Sequence, residues 1–120
     1  MTGLAAARLL FRRAQRLRRP AEFREAYRSG RRVGNELFAA NVRENGTGSA
    51  RLGLSIAVRT IGGAVRRNRV RRIIRESFRL HRGELPPLDI VIGARGPARD
   101  ASAAELRAGL ERLWKRIATS

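Results

Sequence analysis

The sequence predicts an α+β fold, a sheet covered by helices within one domain, and three patterns carry that prediction. Apolar positions alternate through "RLGLSIAV" (Arg51 to Val58), and a continuous apolar run fills "LDIVIGA" (Leu88 to Ala94). Apolar stripes at 3.6-residue spacing mark residues 64–82 and 101–117. A chain of 120 residues fits one modest core and no second domain.

Taken in order, residues 1–14 read as a flexible basic arm and residues 15–120 as the folded domain. Pro20 suits the first position of a helix, because its missing N–H would have no partner there. Phe23, Ala26 and Tyr27 follow at i, i+3, i+4, and Gly30 stops the helix. "VGNELFAANV" (Val33 to Val42) reads as one extended segment, and "ENGTGS" (Glu44 to Ser49) as a turn or loop. In Arg51 to Val58, Leu52, Leu54, Ile56 and Val58 point one way, so the three segments suggest an antiparallel hairpin or meander.

After "TIGGA" an arginine-dense helix runs from Ala64 to about Arg82, with Gly83 as its C-terminal cap and Pro86 and Pro87 preventing continuation. Leu88 to Ala94 is a buried central strand. Leu106, Leu110, Leu113, Trp114 and Ile117 give the last helix, from Ala101 to about Ile117, one apolar face, with Trp114 in the core.

Composition narrows the function. Lys plus Arg number 27 against 10 Asp plus Glu, a formal charge of +17, which points to a polyanion and most commonly to nucleic acid. Every basic residue but Lys115 is arginine, which forks onto phosphate and stacks on bases, although a coding bias also favours that choice. Cysteine is absent, which excludes thiolate metal sites, and the single histidine, His81, argues against His-based zinc and His-driven nucleophilic catalysis. Apolar runs fall short of the ~18 residues of a bilayer span. The expectation is a cytoplasmic protein without a membrane role.

At about 100° per residue, the arginine helix separates into faces. Val70, Ile73, Ile74, Ser77, Phe78 and His81 form the core side. Asn68, Arg71, Arg72, Arg75, Arg79 and Arg82 lie opposite, with Arg66, Arg67 and Arg69 in or near the first turn. Cations at a helix start work against the macrodipole, so their placement suits a docked phosphate better than bare stability. The rival reading is a solvated basic face with Glu76 pairing Arg72 and Arg79 for small gains, but a single acid cannot neutralise so many bases. The amide of Asn68 both donates and accepts. It fits a base edge, a ribose hydroxyl or an ion's hydration shell, and equally a helix-start cap.

"RRNRVRRIIRESFR" resembles the arginine–asparagine–arginine signature helix of the protein subunit of bacterial ribonuclease P. The likeness extends to "RLRRPAEFREAYRSG", "RLGLSIAVRTIGGAV" and "DIVIGARGPA", covering roughly residues 15 to 118. It implies an α/β sandwich of order αβββαβα, like that of a ribosomal protein domain, with a four-stranded, mostly antiparallel sheet and a left-handed βαβ crossover. It also implies a function. Ribonuclease P is a ribonucleoprotein that removes the 5′ leader of precursor tRNA, leaving a 5′-phosphate. Catalysis lies in the RNA subunit with Mg²⁺, and the protein binds that RNA and the single-stranded leader without an obligate protein partner.

By that resemblance Arg66, Arg67, Asn68, Arg69, Arg71, Arg72 and Arg75 would contact the RNA subunit. Phe23, Tyr27, Arg51, Arg59 and Arg95 would line the leader cleft, the two aromatics fitting core packing equally well. Two positions depart from the pattern. Val58 replaces the first member of a basic pair, and Asn41 stands where some members carry a cleft aromatic. The alternative is a small ribosomal or RNA-chaperone protein without a processing role. A self-sufficient nuclease lacks the acid clusters of a two-metal site.

Overall fold

A computed structural model describes residues 16, 17 and 19–119. The basic arm expected over residues 1–14 lies outside the described residues. The elements are α1 (Pro20–Ser29), β1 (Arg31–Gly34), β2 (Phe38–Glu44), β3 (Arg51–Leu54), the single turn α2 (Val58–Ile61), α3 (Ala64–His81), β4 (Leu88–Ala94) and α4 (Ala103–Thr119). The α+β class and the mixed four-stranded sheet follow the expectation.

Strand order is β1-β2-β4-β3, with β1–β2 and β2–β4 antiparallel and β3–β4 parallel. Helices α3 and α4 cover one face. Val70, Ile74 and Phe78 from α3 join Leu106, Leu110, Leu113, Trp114 and Ile117 from α4 in one core with Phe38, Val42, Leu52, Ile90 and Ile92 of the sheet. Each such side chain, fully buried, contributes about 1.5–3 kcal/mol. The opposite face holds a smaller cluster in which Ala26 of α1 and Leu17 meet Val91. Strand β4 is therefore covered on both sides, Ile90 and Ile92 facing one way and Val91 the other, which explains its unbroken apolar run.

Four expectations are corrected. The extended segment expected over 33–42 is two strands, because Asn35 folds the chain back. Its Oδ1 accepts the N–H of Leu37 at 2.9 Å and of Phe38 at 3.0 Å. The 44–49 loop does not close a hairpin, since β4 inserts between β2 and β3. Both edges of β2 are already taken, by β1 and β4, so among the strands β3 pairs with β4 alone.

Strand β3 is also shorter than its alternating pattern. Ser55 N–H still reaches Ile92 O at 2.9 Å, but the chain then turns into α2 and leaves Val58 57% exposed. The turn at Gly96–Arg99 packs against α2 there, beyond the end of β4. Finally, Gly83 is not a left-handed cap: α3 tightens into a 3₁₀ turn over Arg82–Glu84. Helix α4 begins at Ala103 behind Ser102, whose Oγ accepts the Glu105 N–H at 3.1 Å while Glu105 Oε1 accepts the Ser102 N–H at 3.1 Å.

Candidate nucleic-acid interface

Helix α3 is aimed by its buried side. Val70, Ile73, Ile74, Ser77 and Phe78 are buried, and Trp114 of α4 locks them in place. Its indole N–H donates to Ser77 Oγ at 2.8 Å, and its ring meets Phe78 edge-on with centroids 5.9 Å apart. His81 ends that side half-buried, with Nδ1 2.8 Å from Ser77 O. The opposite stripe is thereby fixed outward.

Asn68, Arg72, Arg75 and Arg79 are exposed, while Arg67 and Arg71 are partly buried. The N-cap of α3 is Gly63, five residues before Asn68, so Asn68 does not cap the helix start. Its Oδ1 instead accepts from Arg71 Nη1 at 3.3 Å. The first turn contains no acid. Among the described residues, no carboxylate lies within ion-pair distance of Arg67, Arg69, Arg71, Arg72, Arg75 or Arg79. Glu76 forms no ion pair with Arg72 or Arg79, so the solvated-face reading loses the one neutralising acid it offered. Burial first, then the charges of Arg16 and Arg71, lower the Arg75 guanidinium below its ordinary pKa. Arginine stays charged under such a shift, so repulsion persists until an anion arrives.

The stripe forms one wall of a groove of about 680 Å³ beside the outer edge of β3, along which residues 16 and 17 lie. Asn68, Arg71, Arg72 and Arg75 line it from α3, and Phe23 and Leu17 from the other face of the sheet. Leu52 and Leu54 supply an apolar floor. Phe23 sits against Gly53, where an added Cβ would lie 2.8 Å from the ring, so only glycine lets the aromatic approach β3 so closely. An aromatic ring and a row of cations without carboxylate partners therefore share one concave site.

The remaining candidates fall outside this groove. Tyr27, one turn beyond Phe23 on α1, is 50% exposed. Arg59 is exposed on α2. Arg95 is exposed beside a second hollow with Arg32 and Asn35. Arg51 is clasped by acids, with Nε 2.8 Å from Asp89 Oδ1 and Nη2 2.8 Å from Glu22 Oε2. The hydrogen bond to Asp89 is the main cause of its raised pKa. Within the signature, Arg66 faces Asp100 at 3.8 Å in solvent, and Arg69 Nη2 donates to Ala101 O at 3.3 Å.

Sequence reasoning missed Arg16 and Leu17 as groove residues. Leu17 N–H donates to Leu52 O at 3.0 Å, so this segment is laid along β3. The lone leucine in "AQRLRRP" was the available signal.

Comparison with known proteins agrees with this architecture. The family described as Ribonuclease P matches residues 11–118. The ribonuclease P protein component of Halorhodospira halophila is 44% identical over 105 residues, covering 87% of this chain and 86% of that protein. That of Thioalkalivibrio sulfidiphilus is 39% identical over 109 residues, covering 91% of each. The solved structure of the Staphylococcus aureus RNase P protein superposes with a TM-score of 0.81 at 33% identity, covering 85% of this chain and 94% of that one. The Thermotoga maritima RNase P protein gives 0.77 at 34%, covering 85% and 96%. A family match across nearly the whole chain and relatives of this identity leave one assignment: the chain belongs to the ribonuclease P protein family.

Proposed function

We propose that this chain is the protein subunit of a ribonuclease P ribonucleoprotein, acting in tRNA processing by binding the catalytic RNA along α3 and the 5′ leader of precursor tRNA beside α1. The observation that carries this reading is the groove that sets Phe23 against the uncompensated stripe of Asn68, Arg71, Arg72 and Arg75. Phosphates of the RNA subunit neutralise the stripe and release counterions. Arg66, Arg67 and Arg69 extend that contact around the start of α3. Leader bases stack on Phe23 and Tyr27, each worth about 1–3 kcal/mol without demanding a sequence. Arg59 and Arg95 take leader phosphates farther along the sheet, and Arg51 serves the cleft from within its ion pairs.

Cleavage itself belongs to the RNA in this reading. Mg²⁺ held by the RNA would act as the Lewis acid on the scissile phosphate. Among the described residues no group of three or more His, Cys, Asp or Glu is placed to bind a metal. The protein's part is to raise affinity for substrate and for the ions. It works in the cytoplasm, and no helix among the described residues is long and apolar enough to cross a membrane.

Mixing the protein with a bacterial ribonuclease P RNA and a precursor tRNA at low Mg²⁺ tests the proposal. Leader cleavage that the RNA alone performs poorly should be restored. Failure to restore it overturns the proposal, and cleavage without the RNA would make the chain a nuclease in its own right.

A further inference from the structure

Asp89 is an aspartate only 2% exposed, on the α1 side of β4. Its carboxylate grips Arg51 with both oxygens, Nε donating to Oδ1 at 2.8 Å and Nη2 to Oδ2 at 2.9 Å. Asn45 Nδ2 adds a third bond, to Oδ1 at 3.0 Å. Arg51 Nη2 also reaches Glu22 Oε2 at 2.8 Å, and Glu22 Oε1 accepts the Arg19 N–H at 3.1 Å. A continuous charge-assisted chain therefore runs from the loop after β2, through β4 and β3, to the first turn of α1. It ends one residue before Phe23. That ring lies on Gly53, two residues along β3 from Arg51 and on the same face.

We propose that Asp89 is a positioning residue for single-stranded RNA bound beside α1. It holds Arg51, and through Arg51 and Glu22 it fixes the height and angle of α1, and hence of Phe23 and Tyr27, over the sheet. The clasp is a poor choice for stability alone, because a well-packed apolar pair in place of a buried ion pair is often as stable or more so. It does specify one geometry, since a bidentate guanidinium–carboxylate pair tolerates little rotation. It also accounts for Arg51, whose Nε and Nη2 are committed to carboxylates and act on the RNA only through α1. Apolar packing of α1 on this face comes from Ala26 and Phe23 with Leu17 and Val91, a small cluster that leaves the helix's orientation in need of a further constraint. The ionic chain supplies that constraint.

This inference rests on the reading that the leader passes α1, and the experiment separates the two. Asp89→Asn and Glu22→Gln are assayed in the reconstituted holoenzyme on precursor tRNAs with a leader of about eight nucleotides or of a single one. For either variant, KM for the long-leader substrate should rise about 3- to 10-fold, as a loosened binding wall implies. Its kcat, the short-leader KM and the affinity for the RNA subunit should stay at wild-type values. Equal losses on both substrates, or an unchanged long-leader KM, overturn the proposal. Glu22 is partly exposed, so Glu22→Gln keeps the test open if Asp89→Asn does not fold. A wild-type holoenzyme indifferent to leader length overturns the leader reading and the positioning role together. A wild type that depends on leader length beside variants that keep the dependence overturns only the positioning role.

Discussion

The indole N–H of Trp114 donates to the hydroxyl of Ser77 at 2.8 Å across the buried seam between α4 and α3. This bond helps hold the buried side of α3 against α4, and so keeps the basic stripe turned outward. Ser77→Ala should cost about 1–3 kcal/mol, because it strands a buried N–H rather than deleting a matched pair. In Ser77→Ala/Trp114→Phe the loss should be smaller than the sum of the single losses, since no donor is then stranded. Urea unfolding of the four proteins measures this, and additive losses would mean the bond does not couple the helices.

Not every arginine should matter to RNA. Arg112 pairs with Glu36, and Arg116 Nη1 donates to Gly34 O at 2.6 Å, tying α4 to the β1–β2 hairpin. Arg72→Ala and Arg75→Ala should each lower the slope of log affinity for the RNA subunit against log salt by about 1, the signature of one lost phosphate contact. Arg112→Ala should leave that slope at the wild-type value. Binding measured across a salt series checks both, and equal slopes for all three variants would remove the distinction between stripe and latch.

Two exposed carboxyls link part of the fold's stability to pH. The Ser102 backbone N–H, then its hydroxyl, holds Glu105 below its ordinary 4.5, and Arg28 does the same for Glu25, chiefly through its hydrogen bond. Folded-state values lowered in this way give stability that is complete above 4.5 and is lost as pH falls through them. The melting temperature of the wild type should therefore fall on acidification below 4.5 more steeply than that of Glu105→Gln. Parallel curves would show that the capping carboxyl is not linked to folding.

The division of α3 into a buried and a basic side was legible in the sequence because 3.6-residue spacing alone fixes it: Val70, Ile74 and Phe78 are buried as their positions require. Leu88–Ala94 was legible for an equally local reason, its continuous apolar run of strand length. What the sequence hid depends on distant partners. Nothing within "RLGL" says that β3 pairs parallel with β4 instead of antiparallel with β2. Nothing around Arg51 shows that Asp89, 38 residues on, will take its guanidinium. Arg51 thus looked like its neighbours in charge while differing from them in availability. Val58 misled because period two continued past the point where the neighbouring strand ended.

Asn68 bears most directly on whether the stripe of α3 is the RNA-subunit surface. It stands in that stripe, exposed, five residues inside the helix and remote from the core, so Asn68→Ala removes recognition without altering net charge or capping. Affinity for ribonuclease P RNA and urea stability are to be measured on the same preparation. The account predicts affinity reduced about 5- to 30-fold, equivalent to roughly 1–2 kcal/mol, with unfolding free energy within about 0.5 kcal/mol of wild type. Wild-type affinity, or a loss of stability without a loss of affinity, would contradict it.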